Sequence, residues 1–140
     1  MSTDSNKAVV RRWIEDGWNK HNLGLIDELY AADVVQYDPA GATARGRAEV
    51  KRYIEGFRVV LPDLTFTIES LVAEGDRVVW RFTSRGTQKG PLMNIPPSGK
   101  SAVVVGMVEF RLAGGKIAEV WVNFDALGLL RQIGVIPEAA

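Results

Sequence analysis

The chain contains no cysteine and a single histidine, His21. The first absence excludes disulfides, thiolate metal sites and a cysteine nucleophile. The second leaves no imidazole cluster for a metal and no spare imidazole for a Ser-His-Asp triad. Charge of one sign is missing as well: 17 Lys and Arg balance 17 Asp and Glu. A nucleic-acid binder announces itself by a basic excess, and a membrane-surface helix by a polybasic face; neither is present. No apolar run approaches the ~20 residues that cross a bilayer. The opening MSTDSNKAVVRRW lacks the apolar stretch of a secretion signal. These absences predict a cytoplasmic protein with neither nucleic-acid nor membrane partners.

What is present is ordinary for a folded domain. The 140 residues are 46% hydrophobic and 24% charged, which argues against disorder and for one domain spanning residues 1–140. Val9, Val10, Trp13, Ile14 and Gly17 make one apolar stripe at helical period, predicting a helix over Ser5–Lys20 capped by Asp4 or Ser5. A second short stripe follows at Leu25, Ile26, Leu29 and Tyr30. Asp33–Asp38 reads as a strand ended by Pro39 and Gly41, and Arg47–Val60 as a helix closed by Pro62. Beyond Pro62 the period becomes strand-like. Leu64–Ala73 and Arg77–Gly86 flank a Gly75-Asp76 turn, and Ser101–Leu112 and Lys116–Phe124 flank Gly114-Gly115, two hairpin signals. Between the hairpins, Gly90–Lys100 is too rich in Pro and Gly for regular structure. Ala126–Ile133 closes the chain with a short apolar helix. Helices first and strands after is the pattern of an α+β domain.

The last hairpin bears on function. A Gly114-Gly115 turn without a bulge pairs Phe110 with Glu119, Val108 with Trp121, Gly106 with Asn123 and Val104 with Asp125. All of these then share one face, apolar and aromatic with polar groups at its far end, as the wall of a small-molecule pocket requires. The opposite face, with Val105 and Met107 beside Ala118, Val120, Val122 and Phe124, is apolar enough to suggest a homodimer.

Asp125 ends this strand at the mouth of the aromatic face. A carboxylate among apolar side chains has its pKa raised toward the range of a general base. An Asp directly before a helix is equally an ordinary N-cap. Tyr37 reads either as a donor to a substrate oxygen or as a tyrosine packed on the core, and Asp38 before Pro39 as a turn former. Arg81 shares a face with Thr83 and Arg85: it holds an oxyanion if that face is concave and is solvated if convex. Trp13, Trp18, Tyr53, Phe57, Trp80 and Trp121 read first as core aromatics. Gly99-Lys100-Ser101 does not complete a phosphate loop, since GxxxxGK is not satisfied.

The run GTQKGPLMNIPPSGK, the ending GMVEFRLAGGKIAEVWVNFDALGLLRQIG, DVVQYDPAG and the opening WIEDGWNKHNLGLIDELYAAD together resemble the SnoaL-like polyketide cyclase or ester cyclase family over nearly the whole chain. The resemblance implies the cone-shaped, nuclear-transport-factor-like α+β fold, a curved antiparallel sheet wrapped around N-terminal helices with a deep pocket. It implies ring closure by intramolecular aldol condensation without metal or cofactor. An acidic residue at Asp125 would remove a proton next to a carbonyl, and the enolate would attack a second carbonyl. Family members often carry His where Tyr37 and Gln88 stand; Tyr and Gln donate hydrogen bonds but shuttle no proton near neutral pH.

The sequence thus predicts a cofactor-independent enzyme acting on a hydrophobic, carbonyl-bearing small molecule. Asp125 is the expected base, with Tyr37, Gln88 and Asn123 as donors. Trp13, Trp18, Tyr53, Phe57, Met93, Val108, Phe110 and Trp121 are the expected lining, joined by Arg81 if it points inward. The alternatives are a non-catalytic module that binds hydrophobic ligands, or epoxide opening or isomerisation in the same pocket.

Overall fold

Ser2 starts the first helix: its hydroxyl accepts the Ser5 N–H at 3.0 Å, so the cap falls two residues ahead of Asp4. The computed structural model describes residues 2–92 and 94–137. Helix α1 (Thr3–Arg12) runs directly into a π-helical stretch, Trp13–Trp18. Helix α2 (Leu25–Leu29) leads into strand β1 (Tyr30–Tyr37) and the three-residue β2 (Thr43–Arg45). Helix α3 (Gly46–Val60) follows, then β3 (Thr65–Glu74), β4 (Arg77–Thr87), β5 (Ser101–Ala113), β6 (Lys116–Phe124) and α4 (Ala126–Gln132). These agree with the periodicity to within a few residues, except that β2 is too short to leave a periodic signal.

The six strands form one curved, unclosed sheet in the order β2-β1-β6-β5-β4-β3. It is antiparallel throughout except where β1 runs parallel to β6. The expectation of an all-antiparallel sheet is corrected there: β1 and β6 lie far apart in the chain, so no hairpin sets their relative direction. Helix α1 packs on β3 and β4, and α3 on β1 and β2, so the helices fill the concave side. The core gathers there around Val10, Ile14, Ile26, Val50, Ile54, Val78 and Ile117, each essentially without solvent exposure.

The β5–β6 hairpin turns at Gly114 and Gly115, both at positive φ (57° and 80°), as a tight glycine turn demands. Its register departs from the bulge-free pairing. Leu112 pairs with Ile117 but Arg111 pairs with Glu119, so Ala118 is an extra residue on β6. Every later pair is offset by one: Phe110 faces Val120, Val108 faces Val122 and Gly106 faces Phe124. Since strand side chains alternate, the slip exchanges the two faces of β6. Val120, Val122 and Phe124 turn inward; Glu119, Trp121 and Asn123 turn to the convex side. Without the bulge, Glu119 and Asn123 would be driven into the core and three apolar side chains left outside, at ~1.5–3 kcal/mol each.

This register makes two neighbouring positions unequal. Val120→Asp, placing an unpaired carboxylate at a site 1% exposed, should cost at least about 3 kcal/mol in urea unfolding. Asn123→Asp on the exposed face should stay within about 0.5 kcal/mol. Equal costs would reject the observed facing.

Candidate active site

The bent sheet and the helices across it form a cavity of about 70 Å³ that opens to solvent on one side. Its walls are mostly aromatic. Trp13 and Trp18 come from the π-helical stretch, where Asn19 N–H reaches back to the Ile14 carbonyl, five residues away, at 3.1 Å. That wider turn brings two tryptophans five residues apart onto the same side. Gly17 is what lets Trp13 lie flat there: a Cβ at Gly17 would come within 2.1 Å of the Trp13 ring. From Trp18 the aromatic surface runs through Phe66 (ring centroids 4.8 Å apart) to Trp80 (5.1 Å from Phe66) and on to Phe82 (4.9 Å from Trp80). On the other side Tyr53, Phe57 and Phe124 form edge-to-face pairs at 5.1 and 5.8 Å.

Few polar groups break this surface. The Ser84 hydroxyl donates to the Val104 carbonyl at 3.1 Å. The Tyr53 hydroxyl donates to Asp38 Oδ1 at 2.6 Å, while Asp38 Oδ2 accepts the Ala40 N–H at 2.7 Å. Burial pushes the Tyr53 phenol well above its ordinary value, and the Asp38 carboxylate adds to the shift. Tyr30, fully enclosed, is pushed the same way by burial. Gln36 and Trp80 also line it; both are almost fully buried, and among the described residues the Gln36 Oε1 and the Trp80 Nε1 have no hydrogen-bond partner.

Of the residues expected at the site, Trp13, Trp18, Tyr53, Phe57, Val108 and Phe110 line the cavity. Four others stand on the convex face. Trp121 and Asn123 were carried there by the Ala118 bulge. Tyr37, in register with Trp121, stacks on it at 5.8 Å and donates to Glu119 Oε2 at 3.3 Å. Arg81 is exposed, since Trp80 and Phe82 take the inward positions of β4. Around Trp121 the convex face forms its own network. Arg77 lies over its ring at 5.1 Å and bonds Glu109 at 2.6 Å. Arg111 bonds Glu119 at 2.8 Å and holds that carboxyl below the usual carboxylate range.

Gln88 is also not a cavity donor. It is fully buried, with Nε2 donating to the Gly90 and Pro96 carbonyls (3.1 and 3.4 Å) and Oε1 accepting the Ser98 N–H at 3.0 Å. Those bonds pin the loop after β4. Asp125 sits at the cavity rim, between Phe124 and the helix that carries Leu129, two lining residues. Its carboxylate is exposed, and Oδ1 accepts the Gly128 N–H at 2.9 Å as the N-cap of α4. The dry surroundings expected around it are absent, because the register places it outside the run Val120, Val122, Phe124. Met93 lies outside the described residues.

The model of the SnoaL-like polyketide cyclase family matches residues 8–133. The chain belongs to this family. No curated protein matches the chain. AclR from Streptomyces galilaeus, a candidate hydroxylase, is 28% identical, with a TM-score of 0.87 over 99% of this chain and 87% of its own. IdmH from Streptomyces antibioticus, a candidate polyketide cyclase, is 27% identical, with a TM-score of 0.80 over 92% and 98%. A Catenulispora acidiphila protein with a ketosteroid isomerase-like fold is 23% identical, at 0.77 over 90% and 92%, which shows the shared fold. Membership of the SnoaL-like family supports a cofactor-independent, cyclase- or isomerase-type role with a small hydrophobic ligand.

The sequence pattern does not single out Gln36 or the pairing of Asp38 with Tyr53. Gln36 alternates with the core residue Val34, a signal present in DVVQYD. The pair has no local signal, because the partners are 15 residues apart. The role of Gln88 yields a test. Gln88→Ala strands the Gly90 carbonyl and Ser98 N–H, and should cost about 2 kcal/mol in unfolding and speed proteolysis between Gly90 and Lys100. Unchanged proteolysis would mean that the loop is held by other contacts.

Proposed function

We propose that this chain is a cofactor-independent, aldol-type cyclase with an aspartate as general base. Its substrate is a hydrophobic molecule with two carbonyl groups flanking one carbon, a class that enolises readily. The cavity carries this reading: an apolar, aromatic hollow with a mouth, in whose wall a phenol is bonded to a carboxylate. Such walls fold a flexible substrate into near-attack geometry while excluding water.

Of the two aspartates next to lining residues, Asp38 is favoured by its bond to the lining Tyr53. It is half-buried and coupled to Tyr53, whereas Asp125 is open to water and holds a helix cap. Because Tyr53 donates its proton to Asp38, its oxygen offers lone pairs to the cavity. The C–H between the two carbonyls passes its proton to the Tyr53 oxygen as the Tyr53 proton passes to Asp38, leaving an enolate. The enolate carbon then attacks the second carbonyl, one C–C bond forms, and the new alkoxide recovers the proton through Tyr53. The raised phenol value keeps Tyr53 protonated at rest, as a relay requires. The exposed position of Asp125 favours, as a second reading, a module that binds such molecules without turnover. The candidate hydroxylase among the relatives has the same fold under a different chemical description.

Proton exchange separates these readings. Wild-type protein in deuterated water should accelerate α-proton exchange of a bound tetralone followed by NMR. Tyr53→Phe and Asp38→Asn should each slow it by at least about tenfold, with Asp125→Asn close to wild type. Loss only in Asp125→Asn would move the base to that residue. Tight binding without exchange would establish the binding module.

We also propose a homodimer through the convex face, where Val103, Val105 and Met107 are 43–54% exposed in a row on β5. Light scattering should then report twice the chain mass of 15.4 kDa, and Met107→Lys should return it to one. A single-chain mass for the wild type would reject the dimer.

A further inference from the structure

We propose that helix α4 is a lid on the cavity, latched by the carboxamide of Gln132, and that it swings about Asp125 to admit a ligand. The proposal rests on the reading of the cavity as the substrate site, but its test reads access alone. The cavity of about 70 Å³ is far below the ~300 Å³ or more that encloses a drug-sized molecule, so a wall has to move before a substrate with two carbonyl groups enters. The walls differ in how they are held. The strands are locked in their ladders, and α3 packs on both β1 and β2. The π-helical stretch is fastened by Asn19, whose carboxamide donates to the Phe66 carbonyl at 2.9 Å and accepts the Phe66 N–H at 2.8 Å. Helix α4, which contributes Leu129 to the lining, packs on β5, with Leu129 and Ile133 clustered against Ala102 and Val104.

Segment 125–136 is closed on itself. At one end Asp125 Oδ1 accepts the Gly128 N–H at 2.9 Å. At the other the chain turns at Gly134 (φ 87°), and the Val135 and Ile136 N–H groups donate to the Leu130 carbonyl at 2.9 and 3.2 Å. Both caps lie inside the segment, so they travel with it and survive its displacement. The Asp125 N–H donates to the Val105 carbonyl at 3.0 Å, where β6 ends, and marks the hinge. Beyond it, among the described residues, the segment's hydrogen bonds to the rest of the protein are the two made by Gln132. Its Oε1 accepts the Val103 N–H at 2.7 Å and its Nε2 donates to the Val103 carbonyl at 2.8 Å. The carboxamide thus stands in for the strand partner that Val103 lacks once β6 has stopped opposite Gly106. Both bonds are exposed, so water competes for the same groups when they part. A hinge at one end, a two-bond latch at the other and a small apolar contact between them make the opening local: it breaks no ladder bond and no cap.

Acrylamide, a small uncharged quencher of fluorescence, reads access directly, because Trp13, Trp18 and Trp80 line the cavity and Trp121, the fourth tryptophan, stands outside it. In a Trp121→Phe background, Gln132→Ala should raise the quenching constant at least about threefold. It should also speed amide exchange at Leu129 and Ile133 by about tenfold, while Phe110 and Val120 in the sheet keep their rates. Unchanged quenching would overturn the lid and leave Gln132 a surface contact. Sheet amides accelerated as much as those of α4 would overturn it too, since the residue would then serve global stability. A second measurement leaves the latch intact. In the Trp121→Phe protein, exchange at Leu129 and Ile133 should be nearly independent of low urea, and exchange at Phe110 and Val120 should rise steeply with it. Equal urea dependence at all four amides would reject a local opening. These outcomes are separate from turnover: a protein that opens in this way without exchanging an α-proton keeps its lid and loses only the cyclase reading.

Discussion

One extra residue governs which side chains this protein turns to its cavity. Ala118 interrupts the β5–β6 ladder next to the turn, and everything on β6 beyond it answers to that interruption. The constraint is geometric, since a strand side chain has only two faces to choose from. With the bulge, Val120, Val122 and Phe124 complete the cavity. The parallel pairing of β1 with β6 then puts Gln36 beside Val120 and Tyr37 beside Trp121. The inward Gln36 and the outward Tyr37 thus follow from the same slip. So does the convex network of Arg77, Glu109, Arg111 and Glu119 around Trp121, which ties β1, β6, β5 and β4 together behind the cavity.

A cavity survives only if its walls resist collapse, because empty space forfeits packing contacts. Here the walls are rigid plates rather than flexible chains. Trp13 is seated against Gly17, and Phe82 lies close to Gly106, where a Cβ would come within 2.6 Å of its ring. The π-helical turn that aligns Trp13 and Trp18 is a less favourable backbone than an α-helix. It persists because it places two large rings on one side, and π-turns recur at functional sites for such reasons. Gln88 fixes the Pro- and Gly-rich loop after β4 through three hydrogen bonds.

Much of this was legible in the chain. Val50, Tyr53, Ile54 and Phe57 at helical spacing placed α3 and the two aromatics it gives to the wall. Gly114-Gly115 placed the final hairpin, and the family resemblance placed the fold. What could not be read was set by distant parts of the molecule. Whether β6 slips by one residue depends on which face the helices cover, not on the turn. Arg81 and Trp80 compete for the interior on equal local terms, and the competition is settled by Phe66 and Phe110 packing on Trp80. Gln88 looked like a replaced proton shuttle because its surroundings, Gly90, Pro96 and Ser98, become a cage only after the loop folds back.

The same logic separates the two aspartates. A carboxylate becomes useful to chemistry when water is removed from it and a partner fixes its direction. At Asp125 neither condition is supplied by the cavity: the bond to Gly128 N–H serves the helix, and the side chain remains in water. At Asp38 both are supplied in part, because the Ala40 N–H orients one oxygen and the half-buried phenol of Tyr53 engages the other. The coupled carboxylate therefore lies on the β1–α3 side of the hollow, just past the end of β1. Alternation along β1 turns Gln36 to the cavity side and leaves Tyr37 on the convex face, where it stacks on Trp121.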